Sequence, residues 1–370
     1  MESFNSPINK FLHIIPYAHN GGTEKDCYYI IKADRTNTHE VWVLDRRGPM
    51  SEQWEQAGAT VDHLDILQYH LFSFKKLLQQ QTKNKKWDGI FYWSSIRLPL
   101  VRAALKNQSC RLAVHIGNPV EKSVRINLKN RLLNRLFFSA IPTQLFACSG
   151  FVQQSLGNDS YDAGFPSKVS LNPVELLPEN PHVIRKLGFH SPVRLGMVAR
   201  LDPIKDHRTV IVGFKRIQES FPNATLELLG DGILRNELEK LVLELGLKGK
   251  VIFKGNVSNV YHQIQQWNLF VYATTEKEGL GNVVSEALAN GLPCILSDLP
   301  MLREIVSDSG SAEFFPAGNP VAMADKAIML LKKPEKRKEM SENGFLRAKE
   351  AFSAERYLKD RMTFLVGDIL

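Results

Sequence analysis

The most informative part of the chain is Thr275–Asp298, where two glutamates, Glu278 and Glu286, stand with seven residues between them around a glycine-rich turn. The apolar stretch Leu269–Ala273 before the turn predicts a strand, and the residues after it predict a helix over Asn282–Asn290. A second apolar stretch follows. A strand, a glycine-rich turn, a helix and a strand make the βαβ unit that points backbone N–H groups at a phosphate. Carboxylates repel phosphate but accept hydrogen bonds from hydroxyls, so the segment suits a ligand with a central phosphate and a sugar at each end.

Two cations follow another expected strand, Arg194–Ala199. Arg200 comes directly after it, and Lys205 lies five residues further on, just before the expected helix Asp206–Ser220. A reaction that develops negative charge on a diphosphate leaving group needs fixed positive groups beside that charge. Arg200 and Lys205 are therefore candidates to bind a diphosphate, although single cations on loops are often only solvated.

Together these residues resemble the Glu-x7-Glu signature of retaining nucleotide-sugar glycosyltransferases of the GT-B fold, in particular glycosyltransferase family 4 (group 1). The resemblance covers the C-terminal half and continues more weakly into the N-terminal half. It implies that Glu278 lies near the donor sugar, that Glu286 binds the ribose hydroxyls, and that Arg200 and Lys205 hold the diphosphate. It also implies donor contacts from the turn and the helix start, at Gly279, Leu280, Gly281, Asn282 and Val283.

Further matches are less specific. Asn256 and Val257 follow an expected strand where the family lines the nucleobase with backbone groups. Gly21 and Gly22 resemble the N-terminal glycine loop of the family, and two glycines let a backbone approach a ligand closely. His115 ends an expected strand and matches the histidine near the donor sugar.

The turn Gly230-Asp231-Gly232 also matches the family, but its alternative interpretation is a plain turn between a strand and a helix.

Composition indicates a globular protein whose cysteines are in the reduced, thiol form. The chain has 370 residues, of which 44% are hydrophobic and 23% charged, and its four cysteines form no CxxC pair. Neither a secretory signal nor a membrane-spanning apolar run is recognisable, so we predict a cytoplasmic protein, with the inner face of the membrane as a further location. No Asp-x-Asp pair follows a strand and no His/Cys cluster has metal spacing, so we expect neither a metal nor a cofactor, with the nucleotide sugar as substrate.

The positive charge is concentrated in the first half. Residues 1–190 carry 23 lysines and arginines against 16 acidic residues, whereas residues 191–370 carry 24 against 23. This favours an anionic partner, but no nucleic-acid motif accompanies it, so we expect no nucleic acid. The basic, apolar segment Lys122–Phe138 predicts either an interfacial helix on an anionic membrane or an ordinary domain helix.

The predicted fold is α/β, a GT-B fold with two Rossmann-like domains whose parallel sheets face a central cleft. We expect an acceptor-binding domain over 1–175, a linker over 176–192 and a nucleotide-sugar-binding domain over 193–352. A C-terminal helix at 353–370 is expected to cross back to the first domain. The other expected strands are Phe11–Pro16, Val41–Asp45, Gly89–Tyr92, Arg111–His115, Gln144–Cys148, Thr225–Leu229, Val251–Lys254 and Cys294–Leu296, and the other expected helices include Ile233–Leu245, Met301–Val306 and Ala354–Val366.

The function that follows is a metal-independent, retaining, hexosyltransferase-type glycosyltransferase. It would move a sugar from a UDP- or GDP-sugar to a glycan or lipid-linked acceptor, in cell-surface polysaccharide or glycolipid biosynthesis. Three alternatives stay open at this point: a GT-B epimerase, a GT-B phosphorylase, and a non-catalytic nucleotide-sugar-binding or scaffold protein. Front-face attack and double displacement through Glu278 are both compatible with the sequence.

Overall fold

The computed structural model describes residues 8–120, 132, 139–156, 165–177, 192–257 and 259–367. The chain divides into two compact units. The first is Met1–Pro173 together with Ala354–Leu370, and the second is Val174–Ser353. Most of the predicted linker, 176–192, lies outside the described residues, and so does Lys122–Phe138 apart from Leu132.

The first unit contains a seven-stranded sheet in which all described pairs are parallel, in the order β3-β2-β1-β4-β5-β6-β7. Its strands are β1 Lys10–Ile15, β2 Thr38–Val43, β3 Thr60–His63, β4 Gly89–Tyr92, β5 Arg111–Ile116, β6 Thr143–Ala147 and β7 Ser167–Val169. Its described helices are Gly22–Ala33, Pro49–Gln56, Leu71–Thr82, Leu98–Ala104, Gly150–Leu156 and Ala354–Leu365.

The second unit repeats this plan with six parallel strands in the order β10-β9-β8-β11-β12-β13. Its strands are β8 Arg194–Val198, β9 Thr225–Leu229, β10 Val251–Gly255, β11 Leu269–Tyr272, β12 Cys294–Ser297 and β13 Ala312–Phe315. Its described helices are His207–Ser220, Arg235–Glu244, Val260–Ile264, Asn282–Ala289, Pro300–Val306, Pro320–Leu331 and Pro334–Ala351.

Both sheets follow the Rossmann strand order: the first three strands are added toward one edge of the sheet, and the fourth and later strands are added on the other side of the first. The switch point between these two directions lies between β1 and β4 in the first unit and between β8 and β11 in the second. Open α/β sheets bind ligands at such a switch point, outside the carboxyl ends of the strands. The parallel α/β architecture predicted from the sequence is confirmed.

Three strands, β3, β7 and β13, are absent from the sequence-based expectations. β3 and β7 are the edges of the first sheet and β13 is an edge of the second. They are only three or four residues long and none is buried throughout, whereas β4, β11 and β12 are. Without a continuous apolar run, an edge strand gives little sequence signal.

The helix Ala354–Leu365 packs in the first unit against the helix Gly22–Ala33 and against β5. Tyr357, Met362 and Leu365 join the core beneath that sheet. Arg361, which is 1% exposed, lies over the ring of Tyr357 and donates to Ser170 Oγ over 2.9 Å. The last described helix is therefore an integral part of the first unit.

Each sheet contains a buried glutamate that accepts a hydrogen bond from an indole. In the first unit, Trp87 Nε1 donates to Glu40 on β2 over 3.0 Å. In the second, Trp267 Nε1 donates to Glu227 on β9 over 3.0 Å. In both units the glutamate is the third residue of the second strand of the sheet. The tryptophan lies two positions before the first residue of the fourth strand. The pair ties the second strand to the chain that enters the fourth.

Candidate functional site

The candidate site of the second unit is built from two loops that leave neighbouring strands. Arg200 and Lys205 lie on the loop after β8, and Glu278 lies on the loop after β11. β8 and β11 are paired in the sheet, so their loops emerge side by side at the switch point. The structure thus brings together residues that the sequence separates by more than seventy positions.

Asp202 organises the first loop. Its carboxylate accepts hydrogen bonds from the backbone N–H groups of Ile204 and Lys205, over 2.9 and 3.3 Å, and from Arg200 Nε over 2.5 Å. Burial raises the pKa of the Asp202 carboxyl, but these hydrogen bonds outweigh burial and the pKa is lowered overall. The side chain of Arg200 is 71% exposed, so the far end of its guanidinium is open to an anionic ligand.

Backbone hydrogen bonds join the two loops. Thr275 N donates to Ile204 O and Asp206 N donates to Ala273 O, each over 3.0 Å. Asp206 also caps the next helix by accepting from Thr209 N over 3.0 Å. The cations and the glutamate therefore sit on one rigid piece of backbone.

At the centre of the site, Lys205 Nζ forms an ion pair with Glu278 Oε2. The phenol of Tyr272 joins this pair: it accepts from Lys205 Nζ over 2.8 Å and donates to Glu278 Oε2 over 2.7 Å. Only 16% of the Lys205 side chain and 12% of the Glu278 side chain are exposed. Burial lowers the pKa of the Lys205 ammonium to about 8, although Asp202 raises it. The ion pair with Glu278 also favours the charged form of the lysine.

The glycine-rich turn leads into the helix Asn282–Ala289. Gly281 is the N-cap residue and adopts a left-handed conformation, with φ 87°. A Cβ at this position would lie 3.2 Å from Leu302 and 3.4 Å from Tyr272, so glycine is needed both for conformation and for space. The turn presents the first N–H groups of the helix at the carboxyl edge of the sheet, which is the arrangement that binds phosphate.

Glu286 lies in the second turn of the same helix and is half-buried. Its charge contributes to raising the pKa of the Tyr261 phenol, after burial and Glu175. Tyr261 donates to Glu175 O over 2.9 Å. Glu278 lies on the loop before this helix and Glu286 lies within it.

The turn Gly230-Asp231-Gly232 packs against the backbone at the start of the loop that carries Arg200 and Lys205. A Cβ at either glycine would collide with a backbone carbonyl, that of Ala199 or that of Leu201. The turn therefore has a structural function beside Arg200. Asn256 and Val257 follow β10 at the same edge of the sheet, with Asn256 exposed and Val257 half-buried.

The first unit has a cavity of about 330 Å³ at the carboxyl edge of its sheet. It is lined by Thr23, Trp93, Ser94, Ser95, Ile96, His115, Gly117, Asn118, Pro119 and Val120. Gly21 is the N-cap residue of the helix that begins at Gly22, and Thr23 brings the start of this helix to the cavity.

His115 forms part of the cavity wall but is almost completely buried. Burial, assisted by the charge of Arg361, lowers its pKa to about 3, so the imidazole is neutral at physiological pH. Tyr357 Oη lies 3.3 Å from its Nδ1, and Asp26 Oδ2 lies 3.9 Å from its Nε2.

Sequence reasoning missed two members of the second-unit site. Tyr272 is the last residue of an apolar strand, so the sequence predicts only a core residue. It is indeed buried, at 1% exposed. Asp202 lies between the two predicted cations and could have been found, because an aspartate followed by proline often organises a turn through backbone N–H groups.

Within the part of the chain that the structure describes, no group of three His, Cys, Asp or Glu residues could hold a metal ion. None of the helices described there is long and apolar enough to cross a membrane. All four cysteines are buried and free.

Comparison with known proteins agrees with this geometry. Residues 182–347 match the family model described as glycosyl transferases group 1. The matched region contains Arg200, Lys205, Glu278 and Glu286.

Two of the curated proteins to which this chain is similar have names that state an activity. N-acetyl-alpha-D-glucosaminyl L-malate synthase of Bacillus anthracis is 28% identical over 166 residues, which is 45% of this chain and 43% of that protein. N-acetylgalactosamine-N,N'-diacetylbacillosaminyl-diphospho-undecaprenol 4-alpha-N-acetylgalactosaminyltransferase of Campylobacter jejuni is 29% identical over 171 residues, 46% of each protein. The chain thus spans less than half the length of these relatives.

Among solved structures, HepE of Anabaena in complex with UDP-glucose aligns with a TM-score of 0.76 over 95% of this chain and 98% of that one. At 19% identity this likeness establishes the fold alone. The predicted GT-B fold is confirmed.

Proposed function

We propose that the protein transfers a sugar from a nucleotide-sugar donor, bound by the second unit, to a hydroxyl of a glycan or lipid-linked acceptor. The observation that carries this proposal is the meeting of Lys205, Glu278 and Tyr272 at the switch point of the second sheet, within the region that matches the group 1 family model. There, the positive charge of Lys205 lies near the N-terminus of the helix Asn282–Ala289, whose N-cap residue is Gly281.

The donor's diphosphate is placed against Arg200, Lys205 and the first N–H groups of the helix Asn282–Ala289. The exposed guanidinium of Arg200 provides paired donors for phosphate oxygens, and Lys205 provides a second positive charge. As the bond between the anomeric carbon and the diphosphate lengthens, these groups stabilise the growing negative charge. This proposal includes the metal-independent mechanism, because the two cations supply the charge that a divalent ion otherwise provides.

Glu286 is proposed to accept hydrogen bonds from the ribose hydroxyls, and Glu278 to lie against the donor sugar. Asn256 and Val257 would line the base. The resemblance to retaining enzymes supports transfer with retention of anomeric configuration. UDP-sugars are the first donors to test, because HepE has been solved with UDP-glucose.

We assign the acceptor to the first unit, whose cavity is lined by hydroxyl and amide groups. For His115 we keep the role that the resemblance implies, near the donor sugar, where a neutral imidazole can accept a hydrogen bond from a sugar hydroxyl without bringing another positive charge. The Campylobacter relative is named for a diphospho-undecaprenol acceptor, which supports lipid-linked acceptors and peripheral contact with an anionic membrane as part of this proposal.

The test is a thermal-shift screen with UDP-, GDP- and ADP-sugars, followed by product analysis with a lipid-linked acceptor. A donor present at one hundred times its dissociation constant should add ~2.7 kcal/mol of stability. We expect Arg200→Ala and Glu286→Ala to lose this shift, and Lys215→Ala, on the helix after the cation loop, to retain it. If no nucleotide sugar stabilises the wild-type protein, the proposal is wrong. Binding without transfer would favour a non-catalytic protein.

A further inference from the structure

Tyr272 occupies a special place in the second unit. It ends β11, and its ring is buried beneath the glycine-rich turn, where a Cβ on Gly281 would lie 3.4 Å from its Cε1 and 3.7 Å from its hydroxyl oxygen. On its other side the ring stacks with Phe270, at 6.1 Å between centroids. The hydroxyl is the only polar atom of this side chain, and it points at the contact between the two loops.

That hydroxyl uses both its donor and its acceptor capacity within the site. It accepts from Lys205 Nζ and donates its proton to Glu278 Oε2. A phenol so placed touches the cation on one loop and the carboxylate on the other. It stabilises the ammonium form of the lysine and the ionised form of the glutamate at the same time.

We propose that Tyr272 is a positioning residue, which holds Lys205 and Glu278 in register across the two loops. The inference rests on the proposed function, because it concerns groups assigned there to the donor. Tyr272 itself makes no bond to the reacting atoms in this scheme. It acts through Lys205, whose ammonium it directs toward the diphosphate position, and through Glu278, whose carboxylate it orients.

Tyr272 fits this task better than a purely apolar residue would. Lysine has a flexible stem of four carbons, and an ion pair alone leaves its ammonium free to rotate. A second hydrogen bond from a ring locked in the core fixes one geometry. Phenylalanine would fill the same space but leave the ammonium and the carboxylate with one partner fewer.

The protonation of Lys205 depends on every charged or titratable group around it. These groups are Glu278 and Tyr272 in direct contact, and Arg200, Asp202, Asp206 and His207 nearby on its own loop. Loss of the phenol changes only one of them. The proposal therefore predicts a shift of the Lys205 pKa in one direction, downward, because an acceptor of the ammonium's hydrogen bond is removed.

The experiment measures the rate at which acetic anhydride modifies the Lys205 amine as a function of pH, by mass spectrometry of the full-length protein. Only the neutral amine reacts, so the midpoint reports the pKa of Lys205. We expect Tyr272→Phe to lower this midpoint by about one unit, the equivalent of one hydrogen bond to a charged group. Tyr28→Phe makes the same chemical change in the first unit and should leave the midpoint where it is. An unchanged midpoint in a folded Tyr272→Phe protein would overturn the proposal.

A second measurement avoids any loss of folding. With 3-fluorotyrosine at position 272, the ¹⁹F resonance should move with the same midpoint as the Lys205 modification, and this movement should vanish in a Lys205→Met background. A resonance that is constant across that pH range contradicts the proposal. Neither measurement uses a donor, so both can succeed or fail independently of the proposed function.

The transfer assay then connects the position to turnover. We expect Tyr272→Phe to lower kcat about tenfold to a hundredfold while the donor KM changes less, because the lost bond orients the groups that act on the transition state. If instead only KM rises, Tyr272 contributes to donor binding and the positioning role is wrong.

Discussion

At the scale of single residues, the chemistry depends on a lysine held in an unusual environment. Lys205 is mostly buried, yet its proposed role beside a diphosphate requires it to be positively charged. Its contact with Glu278 and Tyr272 keeps the charge in place before a ligand arrives. Under the proposed function, donor binding reorganises an existing ion pair, and only the difference between the two arrangements is gained as affinity.

The first prediction concerns pH. The lysine is protonated below its pKa and neutral above it, and burial lowers that pKa to about 8. We expect kcat/KM to be level up to about pH 8 and then to fall as the pH rises through it, up to about tenfold per unit. Lys205→Arg, which stays charged throughout, should be less active but should lose this alkaline decrease. The same alkaline decrease in Lys205→Arg would assign it to another group.

The second prediction concerns Gly281. Gly281→Ala combines a left-handed backbone with contacts to Leu302 and Tyr272, so we expect a loss of ~1–3 kcal/mol in the free energy of unfolding and weaker donor binding. Gly246→Ala is the matched control, because Gly246 also has a positive φ, of 69°, and open space around it. It should cost ~1 kcal/mol and leave donor binding unchanged. Urea denaturation and calorimetry of nucleotide binding separate strain from contact.

Most charged candidates could be predicted from the sequence because each has a signature in its neighbours. Arg200, Lys205 and Glu278 follow apolar strands and precede helices, and parallel strands bring such positions to one edge. Tyr272 has no such signature, since a tyrosine at the end of an apolar strand looks like any other core residue. Its role depends on which way one hydroxyl points, which only the packed structure shows.

At the scale of elements, buried glutamates connect strands that are not neighbours in sequence. Glu40 receives hydrogen bonds from Trp42 and Trp87 as well as Lys85, and forms an ion pair with Lys10. Burial raises its pKa, but these partners outweigh burial and lower the pKa to about 2. Glu227 has a smaller set of partners in the described residues: Trp267, Gln263 and the more distant Lys254.

The third prediction follows from this difference. Trp267→Phe removes one of two close donors from Glu227, so we expect it to lower the free energy of unfolding of the second unit by ~1–3 kcal/mol beyond the loss of packing. Trp87→Phe removes one of several donors from Glu40 and should cost the first unit less. Hydrogen exchange, read separately for β9 and for β2, measures both effects. A larger loss in the first unit would contradict the argument.

Central strands could be predicted well from the sequence, whereas the edge strands β3, β7 and β13 could not; β10, which is also an edge, is predicted as Val251–Lys254. β4, β11 and β12 are buried along their whole length and largely apolar, as is typical of strands in a covered parallel sheet. β2 begins three residues earlier than expected. The sequence-based prediction missed these first residues, Thr38, His39 and Glu40, because they are polar. Two of these three are nevertheless buried, since His39 and Glu40 have partners inside the unit.

At the scale of the whole molecule, each unit has its own core, and the chain returns to the first unit after completing the second. The alternation of strands and helices predicted the parallel sheets, whereas the return of the last helix was implied by the family resemblance. The assignment of acceptor and donor to separate domains stays a prediction, because it concerns ligands.

The fourth prediction concerns that last helix. Arg361 is buried against Tyr357 and Phe146 and donates to Ser170, so Arg361→Ala should lower the free energy of unfolding of the first unit by ~2–4 kcal/mol. Arg356→Ala, at an exposed position of the same helix, should cost less than ~1 kcal/mol. Protection from hydrogen exchange should fall in β5 and β6 and stay constant in β8 and β11. Equal losses in both units would show that they unfold together.

The positions of the tryptophans also make the protein suitable for intrinsic fluorescence spectroscopy. The chain has five tryptophans, of which Trp42, Trp54, Trp87 and Trp93 belong to the first unit and Trp267 alone to the second. Trp267 is 1% exposed, and its indole lies against Gly196 on β8, the strand that ends just before Arg200. Replacing the other four with phenylalanine would leave a single tryptophan, whose fluorescence spectrum reports on the second unit without any added label.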